Sequence, residues 1–197
     1  IKKLKQEEPV ILNTGRSVPW LNEKVISPLR EKIKDNAILK NFFAVGEKGG
    51  TWIMFDGNGK MEHYKDDSIS APLSLQEKVR NLTRLEFSET MFYDETKETM
   101  ISIEMKDGYP IEEYAREQKD LSEKIQKLVD DCGLGKQLKI DPTIIAIDIE
   151  NKYVGKGFAV ERILKWLKEK KSNRKNSLRL EMVYQTFRCL KSYMKKE

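Results

Sequence analysis

The chain has 197 residues, of which 39% are hydrophobic, and a formal net charge of +5 at pH 7. These values are ordinary for a globular protein and exclude a chain that is disordered as a whole. No apolar run approaches the ~20 residues that span a bilayer, and residues 1–5 lack the apolar region of a signal peptide, so we expect a cytoplasmic protein.

Scarce residue types exclude several kinds of site. His63 is the only histidine, which excludes a zinc site built on two histidines and leaves one residue for any Ser/His or Cys/His pair. Cys132 and Cys189 have no metal-type spacing, so we expect free thiols in a reducing compartment.

The start of the chain carries the most informative pattern. Residues 9–13 form a continuous apolar run, which predicts a strand covered on both faces in a parallel sheet. The run ends in Thr14, Gly15 and Arg16, and Ser17 can cap the helix that follows. Since small polar residues and a helix start at the end of such a strand form an anion site, this pattern is typical of phosphate binding.

The next segment predicts a broken helix and three strands. Pro19 suits the first turn of the helix, and Pro28 predicts a kink or split near Ser27. Strands are predicted over 42–45, 51–55 and 60–64, with a glycine turn between the first two and a tight hairpin turn at 56–59.

Residues 73–149 form a module with an internal repeat. The predicted elements are a helix over 74–82, strands over 84–93 and 99–105, a helix over 110–131, and strands near 137–140 and 143–149. This αββαββ order predicts a four-stranded antiparallel sheet with two helices on one face. We therefore divide the chain into a core part over 1–70, an inserted cap over 71–149 and a second core part over 150–197.

The last part predicts a helix that begins near Lys156. Its packed side comprises Ala159, Ile163, Leu164 and Leu167. Asn176 or Ser177 can cap a final helix, and no convincing strand lies between the two.

Together these elements resemble the haloacid dehalogenase-like phosphatases. The apolar strand ending in Thr14-Gly15-Arg16, the inserted αββαββ module and the Lys-Gly-x-Ala helix at Lys156 resemble the branch with a large α/β cap, which includes Cof-type, sucrose-phosphate and mannosyl-3-phosphoglycerate phosphatases. The fold implied is α/β, with a Rossmann-like parallel-sheet core and the inserted cap. The activity implied is Mg²⁺-dependent hydrolysis of a phosphorylated sugar or a similar small metabolite through an aspartyl-phosphate.

The resemblance also implies roles for individual residues. Thr14 would donate a hydrogen bond to the phosphoryl group, and Lys156 would neutralise its charge. Gly15 and Arg16 would line the phosphate loop. In the cap, Arg84, Glu86 and Ser88 are candidate contacts for the leaving group, because strand alternation places them on one face.

Two of the family's motifs are absent. No aspartate precedes Thr14, where the nucleophile is expected, and none follows Ile149, where magnesium ligands are expected. We expect that these motifs lie in sequence missing from the chain as given. The alternative is a catalytically inactive protein that binds a phosphorylated ligand or a protein partner.

Simpler interpretations also remain open. Thr14 can be a helix-entry hydroxyl, Lys156 an exposed lysine, and Lys152 competes for its role. The basic segment over 165–179 also allows nucleic-acid binding, but no aromatic residue interrupts the dense run over 168–175, so we expect a solvated helix face. The expected partner is a small phosphorylated substrate, without membrane association.

Overall fold

The computed structural model describes residues 1–172. Residues Ile1–Ile163 form one compact unit, which contains two separate four-stranded sheets. A second unit begins at Leu164, and its described part is the end of the last helix.

The first sheet belongs to the core and is mixed. Its strands, in spatial as well as sequence order, are β1 (Val10–Asn13), β2 (Phe42–Gly46), β3 (Thr51–Phe55) and β4 (Met61–Lys65). β1 and β2 are parallel, whereas β3 and β4 continue the sheet antiparallel. The α/β fold is confirmed. Within residues 1–172 the parallel part of this sheet is the β1–β2 pair, and β1 is an edge strand that is only partly buried.

Short helices cover the first sheet and complete the core. They are α1 (Lys2–Lys5), α2 (Val18–Leu21) and α3 (Ser27–Glu31), with a π-helical turn at Asn22–Ile26 between the last two. The Ser17 hydroxyl accepts the N–H of Trp20 at 3.4 Å, which confirms the predicted cap. At the break predicted near Ser27 the backbone stays helical, and the helix changes there from π-helical to α-helical geometry.

The inserted module has the predicted αββαββ order. Its elements are α4 (Leu73–Glu86), β5 (Met91–Tyr93), β6 (Ile101–Met105), α5 (Ile111–Asp131), β7 (Leu138–Pro142) and β8 (Ala146–Asn151). The strands lie in the order β5-β6-β8-β7, and all three pairings are antiparallel. We call this module the cap.

The strand predicted over 84–93 is wrong in its first half. Arg84 and Glu86 lie in α4, and Ser88 lies in the loop between α4 and β5. The buried side chains of α4 and its end, Leu75, Val79, Thr83 and Phe87, recur every four residues. This helical repeat outweighs the weak alternation from residue 84 onward. Leu85, which the alternation would place on the same face as the buried Phe87, is exposed.

The two faces of the cap sheet differ in chemistry. Ile101 and Ile103 on β6 and Ile147 and Ile149 on β8 are fully buried and pack in one cluster with side chains of both cap helices. Because side chains alternate along a strand, the residue that follows each of these isoleucines occupies the opposite face. They are polar: Ser102, Glu104, Asp148 and Glu150.

The chain leaves the cap through a short turn and enters α6 (Lys156–Ser172). The helix predicted to begin near Lys156 is confirmed. The final helix predicted after residue 176 lies outside the described residues, and the three domain boundaries stay a prediction. Cys132 is a free thiol. None of the helices described is both long and apolar enough to cross a membrane.

Candidate functional site

The loop after β1 is fixed by backbone hydrogen bonds to the loop after β2. The Thr14 N–H donates to the Val45 carbonyl at 2.9 Å, and the Lys48 N–H donates to the Thr14 carbonyl at 3.2 Å. The Glu47 N–H donates to the Arg16 carbonyl at 3.1 Å. The two loops are therefore held together at the carboxyl end of the parallel strand pair, where α/β folds bind ligands.

The start of α6 reaches the same place. The Gly155 N–H donates to the Lys48 carbonyl at 3.2 Å, so Lys48 is bonded to Thr14 through its N–H and to Gly155 through its carbonyl. This pair of bonds brings the segment carrying Thr14 close to the segment carrying Lys156, although the two are far apart in sequence. Lys156 itself is exposed and forms no ion pair with a described residue.

Thr14 keeps a hydrogen-bond donor available. Its Oγ1 accepts the N–H of Arg16 at 3.2 Å, which uses an oxygen lone pair. A threonine hydroxyl has one proton to donate in addition. That proton is free to meet an oxygen of a bound anion.

Arg16 connects the loop after β1 to the cap. Its guanidinium carbon lies 5.6 Å from the ring centroid of Trp20, and its Nη1 lies 3.8 Å from a carboxylate oxygen of Glu104. Both contacts leave the side chain of Arg16 partly exposed. The guanidinium is therefore oriented but still accessible to a ligand.

A cavity of about 200 Å³ lies between this loop and the polar face of the cap sheet. Its core side is formed by Thr14, Gly15 and Arg16. Its cap side is formed by Lys97, Ser102, Glu104, Thr143, Ile145, Ala146 and Asp148. Lys97 also donates from Nζ to the Gly15 carbonyl at 2.8 Å, so the cap contacts the loop after β1 directly.

Lys48 is a site residue that the sequence analysis missed. Its Nζ lies 2.7 Å from Glu150 and 3.1 Å from both Asp148 and Asp141. Burial alone would lower the pKa of Lys48, but the hydrogen bond to Glu150 and the charges of Asp148 and Glu150 outweigh it and raise the pKa. The lysine is therefore firmly protonated and links the core to the cap.

The position of Lys48 explains an otherwise unfavourable strand register. Asp141 and Asp148 lie directly opposite each other on β7 and β8. Like charges in such a cross-strand pair repel, and Lys48 lies between them and relieves the repulsion. A sequence signal existed, because Asp148-Ile149-Glu150 alternates two acids on one strand face.

Glu47 is the second missed residue. It is fully buried, and its carboxylate accepts the N–H of Glu98 at 3.1 Å and both the N–H and the hydroxyl of Thr99 at 2.8 Å. Burial raises the pKa of Glu47, and the bonds from Thr99 and Glu98 only partly offset this effect. Its backbone φ of 46° is in the left-handed region, which is strained for a residue with a side chain.

The three cap candidates lie elsewhere. The Arg84 guanidinium bonds to Asn81 at 3.4 Å, Glu86 pairs with Lys124 at 2.5 Å, and the Ser88 carbonyl accepts a bond from Lys106. Arg84, Glu86 and Ser88 do not line the cavity formed by Thr14, Gly15 and Arg16. None of the three lies on a strand, so the alternation that would place them on one face does not apply. We therefore do not retain them as leaving-group contacts.

The described residues do not fit the Mg²⁺ that the resemblance implies. Residues 1–172 contain no group of three or more His, Cys, Asp or Glu side chains arranged to hold a metal ion. The acids nearest the cavity already have partners, since Asp148 accepts the hydroxyl of Ser102 at 2.7 Å and pairs with Lys48, while Glu104 faces Arg16. We derive no chemical step through Mg²⁺.

No family model and no curated protein matches the chain. Solved structures do match. ATP-bound IMP-nucleotidase from Plasmodium falciparum has a TM-score of 0.54 at 15% identity, over 84% of this chain and 42% of that one. The C-terminal domain of trehalose-6-phosphate phosphatase from C. albicans has a TM-score of 0.52 at 18% identity, over 79% of this chain and 47% of that one.

A further structure of the Plasmodium falciparum IMP-nucleotidase has a TM-score of 0.50 at 12% identity, over 85% of this chain and 50% of that one. The chain therefore spans half or less of the length of these three structures. At this level of identity the matches show the fold alone, which this chain shares with the matched parts of these three structures.

Proposed function

We propose that this chain carries the phosphate-binding site and the cap of a phosphomonoester hydrolase that acts on a phosphorylated small metabolite. The observation that carries the proposal is the pair of backbone bonds through Lys48, which joins the Thr14 loop to the Lys156 helix. The two segments that the family resemblance assigns to phosphate binding are thus adjacent. The names of the structural neighbours, a nucleotidase and a sugar-phosphate phosphatase, support the same class of activity.

In this proposal the Thr14 loop binds the phosphoryl oxygens. Thr14 donates its hydroxyl proton, and Arg16 supplies positive charge beside it. Gly15 has no side chain, so an anion can approach the backbone, and the stem of Lys48 packs about 3.7 Å from where a β-carbon would stand. Preorganised donors of this kind stabilise charge on a phosphoryl group because they need no rearrangement during the reaction.

Lys156 supplies the second positive charge. It is the first residue of α6, where a cation is disfavoured by the partial positive charge of the helix end. A bound anion removes that disadvantage, because it interacts favourably with both the helix end and the ammonium group. The absence of an ion pair with any described residue leaves the charge of Lys156 available for this role.

The cap is proposed to cover the site and exclude water. Lys97 and Glu104 already contact the phosphate loop from the cap side. Excluding water strengthens every electrostatic contact with the phosphoryl group. The wider environment that fits this proposal is a reducing, cytoplasmic one, which is consistent with the free thiol of Cys132.

Hydrolysis itself needs a nucleophile that this sequence does not place before Thr14. The resemblance implies an aspartate and an aspartyl-phosphate there, with Mg²⁺ beside it. A second candidate function is binding of a phosphorylated ligand without turnover, and it is favoured because the acids beside the cavity, Glu104 and Asp148, already pair with Arg16 and Lys48. The same pocket residues serve both functions, so the two differ only in whether phosphate is released.

The test measures phosphate release by the full-length gene product from a panel of sugar phosphates and nucleotides, with and without Mg²⁺. We expect turnover of at least one substrate, and its loss in Thr14→Val and Lys156→Ala. Binding without release supports the second candidate. Neither binding nor release, or full activity in the double variant, would refute the site.

A further inference from the structure

A second cavity adjoins the phosphate cavity. It has a volume of about 250 Å³ and shares Arg16, Lys97 and Glu104 with the first. Its other lining residues are Ser17, Pro19, Trp20, Glu23, Phe92, Asp94 and Thr96. Each cavity alone is smaller than the roughly 300 Å³ at which small-molecule sites usually begin, so a ligand with two parts fits the pair better than either cavity alone.

Two exposed aromatic rings distinguish the second cavity. The exposed fraction is 37% for Trp20 and 43% for Phe92, although both are large apolar side chains. Trp20 comes from the core and Phe92 from the cap. Exposed aromatic side chains that border one concave site mark a binding surface more often than a packing defect.

Local structure explains why both rings face outward. Trp20 follows Ser17, whose hydroxyl caps α2 and fixes the start of the helix beside the phosphate loop. On β5, Met91 and Tyr93 pack in the cap core, so alternation places Phe92 on the polar face of the cap sheet. Both rings lie in regular secondary structure, so neither is exposed merely because it belongs to a chain end or a long loop.

The polar groups of this cavity include free acceptors. The Oδ1 atom of Asp94 is occupied by Thr96, whose N–H donates at 2.9 Å, and the Oε1 atom of Glu23 pairs with Lys24 at 2.6 Å. The second oxygen of each carboxylate has no such contact with a described residue. A ligand that carries N–H donors at its edge therefore suits this wall.

We propose that the second cavity binds the leaving group of the substrate, and that this group contains a planar nitrogen heterocycle, as in a nucleoside monophosphate. The inference rests on the proposed function, because it places the phosphoryl group at Thr14 and Arg16 in the first cavity. The heterocycle then lies against Trp20 or Phe92, with its N–H groups toward Glu23 and Asp94. Arg16, which lies on Trp20 and lines both cavities, contacts both parts of the ligand.

A sugar leaving group is the competing occupant. Sugars also pack on aromatic rings, so the rings alone do not separate the two. The separation comes from comparing ligands that differ only in the heterocycle. Stacking of a base on an aromatic side chain is a substantial and measurable part of affinity.

The experiment measures dissociation constants by calorimetry in the presence of a chelator, which prevents Mg²⁺-dependent turnover. The probes are adenosine 5′-monophosphate, ribose 5-phosphate and adenosine. We expect the nucleotide to bind about tenfold or more tightly than ribose 5-phosphate, as one stacked base predicts. Phe92→Ala is expected to reduce that ratio severalfold, without changing the affinity for ribose 5-phosphate by more than about twofold. Trp20→Ala is expected to weaken the binding of both ligands, because Trp20 also orients Arg16.

Tyr153→Ala is the matched control, because Tyr153 is 82% exposed and lines neither cavity. Phe92→Leu is a second variant that keeps an apolar side chain on β5 and removes the aromatic ring. Phe92→Leu keeps the test valid if Phe92→Ala fails to fold. Circular dichroism measures whether both variants are folded.

The outcomes separate the two proposals. Equal affinity for the nucleotide and ribose 5-phosphate, unaffected by Trp20 and Phe92, overturns the heterocycle site and leaves the proposed function intact. No binding of either phosphate ester overturns the proposed function, and the heterocycle site with it. Binding of the nucleotide that is unaffected by Thr14→Val refutes the placement of the phosphoryl group.

Discussion

Replacing Lys48 with methionine removes the charge that joins the core to the cap. Methionine keeps the aliphatic stem that packs beside Gly15 and removes only the ammonium group. The carboxylates of Asp141, Asp148 and Glu150 then lose their closest cation. Of these three, Glu150 is almost completely buried. Asp141 and Asp148, which face each other across the strand pair, also lose the positive charge between them.

The size of the effect follows from burial. Removing one partner of a buried ion pair costs about 3–5 kcal/mol of unfolding free energy. Here the cost is smaller, because the side chain of Lys48 is 25% exposed and Glu150 keeps a second lysine, Lys139, at 3.0 Å. We expect a loss of about 2 kcal/mol, which corresponds to a decrease of roughly 4–8 °C in Tm for a chain of this length.

Urea unfolding followed by tryptophan fluorescence measures this loss. The matched control is Lys65→Met, since Lys65 pairs with Asp67 at 3.0 Å on the exposed surface and its replacement is expected to change the unfolding free energy far less. Adding Glu150→Gln to Lys48→Met should recover part of the lost stability, because it removes the buried uncompensated charge. Equal stability of the two methionine variants would refute the coupling role of Lys48.

Two further predictions concern the loop after β2. Because burial raises the pKa of Glu47 above its ordinary value of 4.5, the stabilising effect of its protonation is complete below pH 4.5 and is lost as pH rises through the raised pKa. In urea titrations across this range, the unfolding free energy of the wild type should therefore fall with rising pH relative to Glu47→Gln, and a constant difference contradicts the prediction. Gly49→Ala should cost about 1–3 kcal/mol in thermal unfolding, because φ at Gly49 is +114° and a β-carbon would lie 2.7 Å from Phe158. Gly57→Ala, which meets nothing within 4 Å, should be close to neutral, and equal effects at both glycines would refute the close approach.

The features that sequence could predict are local ones. The strand before Thr14 and the Ser17 cap each depend on residues within one or two turns of one another. The αββαββ order of the cap follows from periodicity in the same way. Local propensity and hydrophobic pattern agree at these positions, so the structure follows them.

The largest local error is the strand predicted from residue 84, where a strand-like and a helical periodicity compete. Residues 84–89 carry a weak alternation that fits a strand, but Val79, Thr83 and Phe87 continue the four-residue repeat of α4. Burial of these three side chains decides the outcome. The error moved Arg84 and Glu86 from an expected binding face to an exposed helix surface.

The missed site residues depend on contacts that are distant in sequence. Lys48 meets Asp141, Asp148 and Glu150, and Glu47 meets Thr99. In the sequence Glu47 and Lys48 look like an ordinary charged turn between glycines. Their role appears only when the cap is folded over the core loop, because neither charge has a nearby partner in sequence.

The most direct test of the central claim is phosphate-ester binding by the wild-type chain, Thr14→Val and Lys156→Ala, measured with ribose 5-phosphate and with a chelator present. The account predicts that each substitution weakens binding at least tenfold, since each removes a contact to a charged phosphoryl oxygen worth about 1.5–3 kcal/mol. It also predicts unfolding free energies within about 0.5 kcal/mol of wild type, because Lys156 is exposed and Thr14 lies in a loop held by its backbone. Unchanged affinity in both folded variants would contradict the assignment of the phosphate site.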